Sequence, residues 1–190
     1  MKWFIASDIH GSAYYCKLML QKFKEEKAQR LLLLGDILYH GPRNDLPRDY
    51  NPKEVIKMLN EVKEHILCVR GNCDTEVDQM VLEFPILADY AIVDFGEGLM
   101  YCTHGHKYIP DNSLKLKEGD IVISGHTHVP LCEKRDGVLY LNPGSVSIPK
   151  EDSQHGYMIY ENGTFSWHDL EVNDIDDEGY PDNMLNWIDI

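Results

Sequence analysis

The sequence predicts an α/β fold, a sandwich of two β-sheets flanked by helices, and three observations carry it. The first 70 residues alternate short apolar runs with stretches of helical periodicity, a βαβαβ opening. The second half exchanges helices for hairpins, marked by Asp136-Gly137 and Asn162-Gly163. The chain has 190 residues, 43% of them apolar, which suits one domain with a buried core.

Residues 3–7 form an apolar run, as in a strand covered on both faces. Ser12 is placed to cap a helix over residues 14–29, where Cys16, Met19, Leu20 and Phe23 share a face. Residues 30–34 read as a second buried strand ending at Gly35-Asp36, and residues 37–51 as a loop rich in proline and glycine. Asn51 caps a helix that Pro52 opens and that runs to about His65, with Val55, Ile56, Leu59 and Val62 on its apolar face. Residues 66–69 are a third strand, closing on Arg70-Gly71-Asn72, and a short helix follows to about Glu83. Residues 91–95 and 99–103 flank a Gly96-Glu97-Gly98 turn, residues 121–124 precede Gly125-His126-Thr127-His128, and two hairpins pair 131–135 with 138–141 and 156–160 with 164–168.

Charge narrows the function classes. Against 18 Lys and Arg stand 32 Asp and Glu, a net charge of −14 that disfavours a nucleic acid polymer as partner. No apolar run approaches the roughly 20 residues of a membrane span, and Asp8 arrives too early for the core of a signal peptide. Five scattered cysteines without paired spacing read as free thiols in a reducing cytoplasm. Residues 169–190 hold eight acids and no Lys or Arg, so the domain is set at 1–168 and an acidic tail at 169–190. That tail reads as a solvated extension, although the apolar stretch through Met184, Leu185, Trp187 and Ile188 could dock on the body or on a partner.

Five segments each follow a predicted strand: Asp8-Ile9-His10, Gly35-Asp36, Gly71-Asn72-Cys73-Asp74, Thr103-His104-Gly105-His106 and Gly125-His126-Thr127-His128. In α/β sheets ligands bind beyond the carboxyl ends of strands, so these carboxylates, imidazoles and one carboxamide are expected to converge. Each segment alone is weak, since a single histidine is more often structural than a ligand; five in this order are a strong signal.

The set resembles the calcineurin-like metallophosphoesterase signature. The phrases Leu38-Tyr39-His40-Gly41-Pro42-Arg43-Asn44 and Asn142-Pro143-Gly144-Ser145 resemble its small YfcE-like phosphodiesterase branch. The resemblance implies a four-layer α/β/β/α sandwich and two divalent metal ions. Asp8, His10 and His128 would hold the first, Asn72, His104 and His126 the second, and Asp36 would bridge them. Residues two apart in an extended segment lie about 7 Å apart, so His126 and His128 can serve ions roughly 3.5–4 Å apart. Oxygen and nitrogen donors suit manganese, zinc, iron or nickel; the resemblance favours manganese.

The implied chemistry is hydrolysis of a small phosphodiester by a metal-bridging hydroxide, with no protein nucleophile. Catalytic positions are expected at Cys73 and at Asp74, which would orient a neighbour. Substrate binding is expected from His40, Arg43 and His106. At Cys73 the sequence departs from the commoner pattern, which has histidine after Gly-Asn. A competing reading is a protein-interaction scaffold on the same fold, as in the metallophosphoesterase-like retromer subunit, but a scaffold needs none of the seven ligands. Exposed edges of small sandwiches often pair, which admits a homo-oligomer.

Overall fold

The computed structural model describes residues 1–96, 98–107, 114–172 and 188–189. In chain order its elements are β1 (Trp3–Ala6), α1 (Ala13–Glu25), β2 (Arg30–Leu33), α2 (Pro52–Asn60), β3 (Ile66–Cys68), α3 (Glu76–Gln79), β4 (Tyr90–Asp94), β5 (Leu99–Thr103), β6 (Ile121–Ile123), β7 (Pro130–Arg135), β8 (Val138–Pro143), β9 (Gly156–Glu161), β10 (Thr164–Asp169) and β11 (Ile188–Asp189). They build two mixed sheets, ordered β11-β10-β9-β1-β2-β3 and β4-β5-β6-β8-β7.

Side-chain alternation explains the layers. From β1, Phe4 and Ala6 face the helices with Tyr15, Met19 and Val55, while Ile5 faces the second sheet with Met100, Ile121 and Ile123. Both faces are covered, and for that reason the strand is an unbroken apolar run. A third cluster, Tyr101, Val122, Val138 and Tyr140, lies on the outer face of the second sheet. Among the described residues Leu114 and Leu116 meet that face, where the four-layer pattern would put a helix.

Helix ends depart from the sequence reading for local reasons. Ser12 caps α1 by accepting from the Tyr15 N–H, but the helix stops at Glu25, and Lys27 turns the chain at φ 53°. Asn51 caps α2, which ends at Asn60, and a separate 3-10 turn at Lys63–His65 leads into β3. The next helix closes after Gln79 instead of reaching Glu83, because the Gln79 amide donates to the carbonyls of Leu82 and Phe84 and accepts from the Ile86 N–H. Those bonds hold the following residues in irregular backbone.

At the acidic C-terminal run, β10 reaches Asp169, and Leu170 is buried with its N–H bonded to the His155 carbonyl. The backbone of Ile188–Asp189 pairs with Thr164 and Phe165, whereas Met184, Leu185 and Trp187 lie outside the described residues. No described helix is long and apolar enough to cross a membrane.

Strands β1, β2 and β3 run parallel in one sheet, as do β5, β6 and β8 in the other. The segments that leave β1, β2, β3, β5 and β6 meet at one edge of the sandwich. There the Asp8 and His10 N–H groups donate to Gly35 and Asp36 carbonyls at 3.1 and 2.9 Å, and the Gly125 N–H donates to the His104 carbonyl at 3.1 Å.

Candidate metal centre

The backbone leaving these strands is strained where the candidate ligands sit. Asp8, His10, Asp36, His126 and His128 all have positive φ, between 49° and 68°. A non-glycine residue there costs on the order of 1 kcal/mol, and such strain concentrates at functional sites. Two glycines make room. A Cβ at Gly71 would overlap the Asp36 carboxylate, and one at Gly125 would overlap Ser7 Oγ and crowd Asp8 Oδ2.

Backbone carbonyls set the imidazole orientation. Nδ1 of His10, His104 and His128 lies 2.7, 2.7 and 2.6 Å from the carbonyls of Tyr39, Leu34 and Ile148. Each Nδ1 therefore donates, and each Nε2 points inward as an available donor atom for a metal. His10 Nε2 and His128 Nε2 approach to 3.3 Å, and both face Asp8 Oδ1, at 3.6 and 3.3 Å. His104 Nε2 lies 3.4 Å from Asp36 Oδ2 and 3.1 Å from Asn72 Oδ1. The His126 ring centroid is 5.1 Å from that of His104, and the His126 N–H donates to Asp8 Oδ2. The structure thus brings all seven predicted ligands to one edge, with Asp36 Oδ2 also 3.7 Å from His10 Nε2.

Such crowding of acceptors requires positive charge among them. Asp8 and Asp36 are buried, and Asp8 Oδ1 has no hydrogen-bond partner. Burial alone would raise the Asp8 pKa, but the facing imidazoles of His10 and His128, with the charge of His104, hold it well below the usual range. Burial would likewise lower His104, yet Asp36 and Asp8 bring it up to about 9. Divalent cations fit these same atoms. One group is Asp8, His10 and His128; another is Asp8, Asp36 and His104.

Cys73 was not read as a ligand from sequence, but its Sγ lies within 4.8 Å of donor atoms on His10 and Asp36. It accepts from Asn72 Nδ2 at 3.2 Å. Burial, with Asp36 nearby, pushes the thiol up to about 12.

A cavity of about 450 Å³ opens over the centre, lined by His10, Asp36, Asn72, Cys73, His126 and His128. Arg43 lies in its wall as expected, joined by Asn44, Thr127 and Lys150, which the sequence reading missed. Two expected substrate-binding residues are not among the lining residues. The His40 ring is held edge-on between Tyr39 and Tyr50, with centroids 4.8 and 5.2 Å away. The His106 ring sits edge-on to His104 at 5.4 Å, and burial with His104 and His126 lowers its pKa to about 4.

Asp74 stands behind the wall. Its carboxylate accepts from the Asp36, Ile37 and Gly71 N–H groups at 2.8, 2.9 and 2.8 Å, pinning the loops that carry Asp36 and Asn72. Asp74→Asn turns an amide NH₂ toward one of these donors. It is expected to cost roughly 1–3 kcal/mol of stability and about 10–100-fold in metal affinity, read by denaturant melts and metal titration. Unchanged affinity would show that the loops hold themselves.

A family model described as the calcineurin-like phosphoesterase superfamily domain matches residues 1–164. Phosphodiesterase YfcE of Escherichia coli K12 is 46% identical over 166 residues, covering 87% of this chain and 90% of that protein. A solved structure of the E. coli phosphoesterase Yfce superposes with a TM-score of 0.90 at 41% identity, covering 99% of this chain and 98% of that one. Zinc-complexed Vps29 of Entamoeba histolytica has a TM-score of 0.59 at 21% identity, covering 88% of this chain and 91% of that one, a likeness of fold alone. On the family match and the identity to the E. coli protein, the chain belongs to the calcineurin-like phosphoesterase superfamily.

Proposed function

We propose that the chain is a dinuclear metal-dependent phosphodiesterase for small phosphodiesters, activated by manganese in a reducing cytoplasm. The observation that carries this reading is the seven-residue cluster around Asp36, in which the buried Asp8 Oδ1 lacks a hydrogen-bond partner. The 46% identity to a phosphodiesterase supports the diester preference. All five cysteines are free thiols, in keeping with a reducing compartment.

Asp8, His10 and His128 would hold one ion, Asn72, His104 and His126 the other, with Asp36 facing both. Two such ions supply an activated water and charge neutralisation at the phosphoryl group. The chain's own part is orientation. Carbonyls of Tyr39, Leu34 and Ile148 keep Nε2 of His10, His104 and His128 turned inward, and Cys73 N–H fixes Asp36 Oδ1 at 2.8 Å, leaving Oδ2 toward the centre. The protein-interaction alternative rests on the Vps29 likeness, and that likeness reaches the fold only.

Chelator-treated protein is expected to lose hydrolysis of bis(p-nitrophenyl) phosphate and to regain it with Mn²⁺. The diester should be preferred to p-nitrophenyl phosphate. Activity indifferent to the chelator would overturn the metal mechanism, and preference for the monoester would overturn the substrate class.

A further inference from the structure

Two cations line the same cavity in a chain of net charge −14. Arg43 and Lys150 both line the cavity, and Asp36 is the one acidic residue in its wall among the described residues. What sets these two apart from the chain's other cations is their place in this wall, since no other described Lys or Arg lines it.

Both are carried on anchored backbone. The Lys150 N–H donates to the His128 carbonyl at 3.2 Å, and Ser153 Oγ bonds the Lys150 carbonyl at 2.6 Å. Glu151 and Asp152 follow at φ 54° and 58°, two strained residues that turn the chain back at this point. On the other side, Asn44 Nδ2 donates to the His40 carbonyl at 2.8 Å and the Asn44 N–H to the Gly41 carbonyl at 3.4 Å, closing the turn that presents Arg43. The two side chains are exposed, but their starting points are tied to the ligand His128 and to the loop beside Cys73.

A scissile phosphodiester carries one negative charge, and the proposed centre already meets it. Two further cations exceed that need and match a phosphomonoester, which carries about −1.5 to −2 at neutral pH. We propose that Arg43 and Lys150 form a subsite for a second phosphate group, so that the substrate is a phosphodiester with a phosphomonoester on one ester arm. The inference rests on the phosphodiesterase reading and adds the substrate class. Arg43 offers a bidentate fork and Lys150 a point charge, the two common ways of holding phosphate.

The test compares p-nitrophenyl thymidine 5′-phosphate with the same diester phosphorylated at the 3′ position, in Mn²⁺-supplemented protein. The phosphorylated diester should have a kcat/KM at least about tenfold higher, as two partly screened contacts of severalfold each would give. Arg43→Gln and Lys150→Gln should each lower that ratio severalfold, and Lys150→Arg should keep most of it. A ratio near one in the unsubstituted protein overturns the proposal. So does a ratio unchanged in the variants, which would place both cations on the scissile phosphate. Calorimetric binding of thymidine 3′,5′-bisphosphate against thymidine 5′-monophosphate gives a readout without turnover: tighter bisphosphate binding that Lys150→Gln abolishes is expected. If neither diester is hydrolysed, the phosphodiesterase reading fails and this binding comparison alone decides the subsite, equal binding of the two nucleotides overturning it.

Discussion

Asp36→Asn is expected to abolish diester hydrolysis and to remove the metal-dependent rise in melting temperature. The substitution is nearly isosteric and can still accept the Cys73 N–H, now 2.8 Å from Oδ1. What it deletes is the negative charge facing His104 and His10, and with it the oxygen donor placed between the two ligand groups. Losing a partner that only orients a ligand costs roughly 10–100-fold in metal affinity or activity; losing a ligand shared by both ions should exceed that. A cation at 100 times its dissociation constant stabilises the folded chain by about 2.7 kcal/mol, so the parent should melt higher with Mn²⁺ and the variant should not. Metal content by elemental analysis separates lost binding from lost chemistry. Undiminished hydrolysis by metal-free Asp36→Asn protein would end the two-metal reading.

The convergence of the seven candidate ligands was legible because each occupies a short polar segment directly after an apolar run, and the parallel topology carries all such segments to one edge. Gly35, Gly71 and Gly125 marked the same places, since close backbone approach leaves no room for a Cβ at Gly71 and Gly125. Lys150 was not legible. Nothing in its sequence neighbourhood links it to the centre; the link is its N–H on the His128 carbonyl, formed once residues 144–153 fold back over Asp8 and His128. Asp74 was expected to orient a neighbour, but its three backbone donors, drawn from two separate loops, could not be read from the sequence. His40 was expected in the wall with Arg43; its ring packs edge-on against Tyr39 and Tyr50, contacts that its place on a Pro/Gly loop does not announce. The ends of α1 and α3 depended on a positive φ at Lys27 and on the bonding of the Gln79 amide, neither of which leaves a periodic trace.

Replacing Cys73 by His is expected to raise hydrolysis most for the poorest leaving groups. The Cys73 side chain lines the cavity beside His10 and Asp36, where a general acid would stand. With its thiol pushed up to about 12 by burial and by Asp36, it stays protonated at neutral pH and is a feeble proton donor. His40 and His106 are absent from the lining residues, and His106, lowered to about 4, is neutral at pH 7. The parent should therefore favour diesters with activated aryl leaving groups and work slowly on alkyl ones. A positioned general acid is typically worth 10²–10⁴-fold. Because a departing aryl oxide needs little protonation, that gain should concentrate at the high-pKa end of a leaving-group series. The measurement is the slope of log kcat/KM against leaving-group pKa in both proteins, at equal metal content, since the new imidazole could also bind a cation. A shallower slope in Cys73→His protein is the expected outcome. Parallel slopes would show that the leaving group departs without help from this position, and would leave charge neutralisation at the metal centre as the source of the rate.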